Sequence, residues 1–163
     1  HAADRLLAEA IKHAQAATED IRRVVHDLRP PALDDLGLIG ALKNQIDQFR
    51  VSDMKIILKA PEKAPSLPAA VEEAGYMICQ EALNNIPRHS QASLCTVSLT
   101  LDKQLCLDID DNGKGLQADH RPGIGLGSMR QRTEELGGTF TFKSIPGNGA
   151  LLQACFPIEN IEE

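Results

Sequence analysis

Three clusters in this 163-residue sequence combine the residue types that chemistry needs. In Gln80-Glu81-Ala82-Leu83-Asn84-Asn85 the Glu81 carboxylate and the Asn85 amide are four residues apart, which stacks them on one face of a helix. Two polar residues alone are equally consistent with a solvated helix edge. The second cluster, Asp111-Asn112-Gly113-Lys114-Gly115, follows the alternating run Leu105, Leu107, Ile109. It sets a carboxylate at a strand end beside two glycines that let the backbone turn tightly near a ligand. The third, Gly123-Ile124-Gly125-Leu126-Gly127-Ser128-Met129-Arg130, is a glycine-rich loop opening onto a helix. Backbone N–H groups aimed by a helix N-terminus form a natural cradle for phosphate. Neither glycine cluster has the G-x-x-x-x-G-K-[ST] or G-x-G-x-x-G spacing, so Walker and Rossmann sites are excluded. Asp108, Asp110, Asn112, Gly113 and Asp119 fit part of a calcium loop, but the preceding run alternates like a strand where such a loop needs a helix, and Asp119 is shorter than the bidentate Glu wanted there.

Regular elements must hold these clusters. Leu7, Ile11, Ala14, Thr18, Ile21, Val25 and Leu28 recur at spacings of four and three, the seam of a helix that packs against other helices. Its opposite face is charged, so a lone copy leaves the stripe in water and a dimer is the simplest expectation. Pro30 and Pro31 stop this helix. Asp34 and Asp35 offer capping carboxylates to a second helix carrying Leu38 or Ile39, Leu42, Ile46 and Phe49 on one face. Met54 to Lys59 reads as a strand, and Ala69 to about Ile86 as a helix with Glu72 and Glu73 in its first turn. Two alternating strands follow, joined by a short turn at Asp102 to Gln104. A helix is expected from about Ser128 to Leu136, capped by Gly137 and Gly138. Strands at Phe140–Phe142 and Leu151–Ile158 flank the turn Pro146-Gly147-Asn148-Gly149. This order suggests a sheet with helices on one face.

Composition narrows the function classes. Seventeen Lys and Arg against 23 Asp and Glu give a net charge of −6, which disfavours nucleic acid and direct contact with an anionic membrane. No Trp, one Tyr and four Phe supply little for stacking bases. No apolar run reaches the ~18 residues a membrane span requires. The chain starts inside a helix with no signal segment, which reads as a fragment of a cytoplasmic protein. Cys79, Cys95, Cys106 and Cys155 show no C-x-x-C pair and no neighbouring His at ligand spacing, so they are expected to be buried reduced thiols.

The three clusters stand in order, extended by Arg88-His89-Ser90 after the first and by Gln131-Arg132 and Leu136-Gly137-Gly138 after the third. Together they resemble the N, G1 and G2 boxes of the GHKL ATP-binding fold. The stretch Asp27-Leu28-Arg29-Pro30-Pro31-Ala32-Leu33-Asp34-Asp35-Leu36-Gly37-Leu38 further resembles sensor histidine kinases of the nitrate-sensor (NarX-like) class, whose response regulators carry LuxR-type DNA-binding domains. The likeness covers nearly the whole chain.

The resemblance implies an α+β fold, a two-layer α/β sandwich of the GHKL (Bergerat) type preceded by one long bundle helix. Residues 1–29 would be the second helix of the dimerisation hairpin and 30–163 the catalytic ATP-binding domain. It further implies ATP and Mg²⁺, with Asn85 as the metal ligand through a hard amide oxygen, and Asp111 accepting from the adenine amino group beside Gly113 and Gly115. Gly125, Leu126, Gly127 and Met129 would belong to the lid and its phosphate contacts. Glu81 matches the catalytic carboxylate, and Arg88 and His89 a basic pair near the phosphates. The partners implied are a histidine-bearing helix absent from this chain, a response regulator and a second copy.

Three departures from the family pattern bear on these roles. Pro87 is expected to kink or end its helix, since it forfeits the bond to the Leu83 carbonyl. Ala150 stands where the family usually has Thr, which predicts weaker nucleotide binding, not its loss. His26 precedes an acid as the phosphate acceptor does, but it lies in the second hairpin helix, so it reads as a flank of the seam. An anti-sigma type GHKL serine kinase would share the three boxes without explaining the heptad helix or Arg29-Pro30-Pro31. A non-catalytic dimerisation module with a degenerate nucleotide site is the other reading, motivated by Pro87 and Ala150.

Overall fold

The computed structural model describes residues 2–26, 29–49, 53–89, 91–116 and 123–158; side chains at 2, 4, 18–26 and 87–89 fall outside the description. The chain forms two compact units, residues 1–31 and 32–163.

The first unit contains α1 (Ala2–His26), which starts earlier than the heptad seam required. The seam residues Leu7 and Ile11 are 63% and 50% exposed on it, and the neighbouring Leu6 68%. Ala14 of the seam is exposed too, while the side chains of Thr18, Ile21, Val25 and His26 and the whole of Leu28 lie outside the described residues.

The second unit is a five-stranded sheet in the order β1-β2-β3-β5-β4, from β1 (Lys55–Lys59), β2 (Leu94–Leu101), β3 (Gln104–Asp111), β4 (Thr139–Ser144) and β5 (Ala150–Pro157). The β1–β2 pair is parallel and the others antiparallel. Parallel pairing needs a long crossover, and α3 (Ala69–His89) provides it. Side chains in a strand alternate between faces. Val97 and Leu99 of β2, Leu105, Leu107 and Ile109 of β3, and Leu152, Ala154 and Phe156 of β5 therefore share one buried face. Helix residues at three- and four-residue spacing close over it: Val71, Ala74, Ile78, Ala82 and Ile86 of α3, with Leu38, Leu42 and Ile46 of α2 (Pro31–Gln48) and Met129 of α4 (Ile124–Glu135). Each fully buried Leu or Ile contributes about 1.5–3 kcal/mol, so this face holds the unit together. The expected arrangement, a sheet with helices on one face, is the one observed.

Four local expectations need correction. The helix α2 begins at Pro31, a first-turn position where a missing N–H is harmless, rather than being capped at Asp34 or Asp35. Gly37, at φ 65 and ψ 179, then divides it into two segments. Pro87 does not end α3, whose backbone stays helical to His89. The helix α4 starts at Ile124, not Ser128, so Gly125 and Gly127 sit inside its first turns rather than in a loop; Gly137, at φ +72, ends it as expected.

The fourth correction concerns the thiols. Cys79 and Cys95 are free and buried, but Cys106 and Cys155 are joined in a disulfide. They are register partners on β3 and β5, on the face away from the helices, and 49 residues of separation conceal that adjacency in the sequence.

No helix among the described residues is long and apolar enough to cross a membrane. The calcium reading loses its ligands to the sheet. Asp108 accepts from Gln153 Nε2 across the strand pair at 2.9 Å, and Asn112 Oδ1 accepts the Ser93 and Leu94 amides at 3.0 and 2.9 Å; Asp119 lies outside the described residues.

Candidate functional site

A cavity of about 280 Å³ opens between α3, the ends of β3 and β5, and the first turns of α4, near the lower end of the roughly 300–1,000 Å³ typical of small-molecule sites. Its walls are apolar: Ala82 and Ile86 of α3, Ile109 of β3, Phe142 of β4, Leu152 of β5 and Met129 of α4. Two polar side chains face into it, Asn85 and Asp111. An apolar slot with few polar points suits a flat, largely apolar ring that presents one or two hydrogen-bonding edges.

Asp111 ends β3, where the alternation that buries Leu107 and Ile109 also turns its side chain inward, 8% exposed. Its Oδ1 accepts the Gly113 amide at 2.8 Å, a local turn that fixes the carboxylate's orientation. Gly113 thus acts on the site from behind and does not line the cavity. Gly115 does line it, at φ +67, where a side chain would be strained and would collide with the Ile145 carbonyl. Gly149, at φ +79, packs directly on the Asp111 carbonyl. The turn between β4 and β5 therefore rests against the backbone that carries Asp111.

At the other end, Asn85 Nδ2 donates to Glu81 Oε1 at 3.3 Å, the i,i+4 pairing expected on one helix face. Glu81 flanks the cavity without lining it. A Cβ at Gly125 would overlap the Glu81 carboxylate and stand 3.2 Å from Asn85 Nδ2, so glycine at 125 is what lets α4 settle on the polar face of α3. Gly123 caps α4 without a side-chain bond, as a glycine must. Leu126 and Met129 line the cavity from the same helix, whereas Gly127 is exposed and does not. Arg88 and His89 belong to the last turn of α3, and their side chains lie outside the described residues.

Thus Asn85, Asp111, Gly115, Gly125, Leu126 and Met129 converge on the cavity, Glu81 and Gly113 support it, and Gly127 stands apart. The sequence reading did not single out the apolar lining of Ala82, Ile86, Ile109, Leu116, Ile124, Phe142 and Leu152. Its signal was present as helical spacing from Ala82 to Ile86 and strand alternation at Ile109 and Leu152. Nothing in the pattern separates core from cavity wall.

Residues 70–160, more than half of the chain, match the family described as histidine kinase-, DNA gyrase B-, and HSP90-like ATPase, and the chain belongs to that family. Within it, the similar proteins are sensor kinases. The chain is 35% identical over 148 residues to sensor histidine kinase LiaS of Bacillus subtilis (strain 168), covering 89% of this chain and 41% of LiaS. It is 34% identical over 155 residues to the signal transduction histidine-protein kinase/phosphatase DegS of Brevibacillus brevis, covering 93% of this chain and 40% of DegS. The chain thus spans about two-fifths of these relatives. Among solved structures, the ATP binding domain of PrrB from Mycobacterium tuberculosis superposes with a TM-score of 0.54 at 25% identity, covering 74% of this chain and 93% of that one. The chain is homologous to the catalytic ATP-binding domains of sensor histidine kinases.

Proposed function

We propose that residues 30–163 bind Mg²⁺-ATP as the catalytic domain of a sensor histidine kinase, and that residues 1–29 are the second helix of its dimerisation hairpin. The observation that carries this is the cavity with Asp111 at one end and the Glu81–Asn85 pair beside the start of α4 at the other. Asp111 would accept from the adenine amino group, with Gly115 letting backbone approach the ring. The triphosphate would run toward Asn85 and the first amides of α4, where helix N–H groups favour an anion, with Arg88 and His89 contributing positive charge. Because Asn85 spends Nδ2 on Glu81, its amide oxygen remains for a cation, and this oxygen beside a carboxylate is a hard donor set that fits Mg²⁺. Asn85 would hold the ion, which when bound neutralises charge on the phosphates. Catalysis is mainly positioning and charge neutralisation: the γ-phosphoryl leaves ADP and bonds to a histidine nitrogen on the missing hairpin helix.

The exposed stripe of α1 supports a homodimer in the parent protein, and the Asp27–Leu38 stretch supports a LuxR-type response regulator as the phosphoryl recipient. The reaction's need for ATP supports a cytoplasmic position, which is compatible with a parent protein anchored to the inner membrane. Calorimetric titration tests the reading. Wild type is expected to bind ATP more tightly with Mg²⁺ than without, and Asp111→Asn to bind at least tenfold more weakly, with no acid-labile label appearing on His26 from labelled ATP. Absence of binding in the wild type would leave the non-catalytic dimerisation module instead.

A further inference from the structure

Ser144 ends β4 and does not line the cavity, yet it touches the backbone of two residues that do. Its Oγ accepts the Leu116 amide at 2.6 Å and lies 2.9 Å from where a Gly115 Cβ would stand. In the sheet it is the register partner of Ala150, a third wall residue. The hydroxyl also lies 3.5 Å from the Gly149 carbonyl, to which it can donate a long, weak bond. Around this point the Gly147 amide donates to the Lys114 carbonyl at 2.5 Å, and the Ile145 amide to the Gly149 carbonyl at 3.1 Å. Among the described residues, the segment Lys114–Leu116 is thus tied to β4 and the β4–β5 turn by the Ser144 and Gly147 bonds, and the Ser144 bond is made by a side chain.

We infer that Ser144 is a positioning residue for the wall of the cavity nearest Asp111, acting on ligand only through the Gly115–Leu116 backbone. This rests on the cavity being an adenine-nucleotide site. A half-buried amide that loses its acceptor must find water or shift, and either event moves the wall that meets the base while leaving the Asn85 end untouched. The signature is therefore independence from the phosphates: Ser144→Ala weakens adenosine, ADP and ATP by the same factor, about three- to tenfold.

The test is calorimetry of the three ligands on the whole chain for wild type, Ser144→Ala, Ser144→Thr and the exposed-strand control Thr141→Ala, joined to hydrogen exchange at the Leu116 amide. The expected result is an equal loss for all three ligands in the alanine variant, recovery with threonine, which keeps the hydroxyl, and no change in the control. Leu116 should be protected in wild type and lose protection in Ser144→Ala even if that variant is less stable overall. Unchanged affinities, a loss confined to ATP, or an unprotected Leu116 in wild type would each overturn the assignment. Failure of wild type to bind any of the three ligands would instead remove the nucleotide reading and this inference with it.

Discussion

The carboxylate of Asp111 serves more than one neighbour. Its Oδ1 holds the Gly113 amide, and its charge acts on Cys95, its register partner on β2. Burial first, then Asp111 and Asp110, push the Cys95 thiol from the usual 9.0 up to about 12; burial, then Cys95, pushes Cys79 up as well. A thiol raised in the folded state keeps its proton there while the unfolded chain loses it. The stabilisation is thus fully present below about pH 9 and is lost as pH climbs toward 12. Urea midpoints should fall between pH 8 and pH 10, and less steeply in Cys79→Ala; identical slopes would contradict this account. At this scale the sequence was informative wherever chemistry required a residue type, as at Asp111 and Asn85. It was silent on Ser144, because a serine at a strand end has no pattern that announces an amide 28 residues away.

Periodicity located α1, α2 and the strands β2 and β3, since a buried face imposes it on the chain, while first-turn acids and glycine caps located α3 and α4. Boundaries set by backbone chemistry were harder to read. Three glycines within five residues suggested a loop, yet α4 takes Gly125 and Gly127 into its first turns; at Gly125 the close approach to Glu81 leaves no room for a side chain, whereas Gly127 faces open space. Pro87 suggested a helix end, yet packing of Leu83 and Ile86 in the core carries α3 past it. The helix tolerates a lost bond to the Leu83 carbonyl near its end, so Pro87→Ala should raise stability by about 1 kcal/mol, less than the ~3 kcal/mol of a mid-helix proline. Urea denaturation measures it, and a destabilised variant would show that the proline serves the fold.

Across the whole molecule the excess of six acids lies entirely beyond residue 29, in the unit proposed to bind a polyanion. Placed donors, rather than net charge, must then hold the phosphates, and ATP binding should rely on the few groups around Asn85 and α4. Stability has a further source in the Cys106–Cys155 bond, which closes a loop of about 50 residues. Chain entropy alone assigns such a closure about 4 kcal/mol at 25 °C. Reduction should lower the urea midpoint accordingly, and denatured unreduced protein should show two reactive thiols where reduced protein shows four; equal midpoints would mean that the bond constrains nothing in the unfolded chain. The same bond encloses Asp111, Gly115, all of α4 and the β4–β5 turn within one covalent ring. A single break in the backbone anywhere inside that ring leaves one connected molecule, so a nicked chain keeps both halves of its cavity together until a reductant parts them.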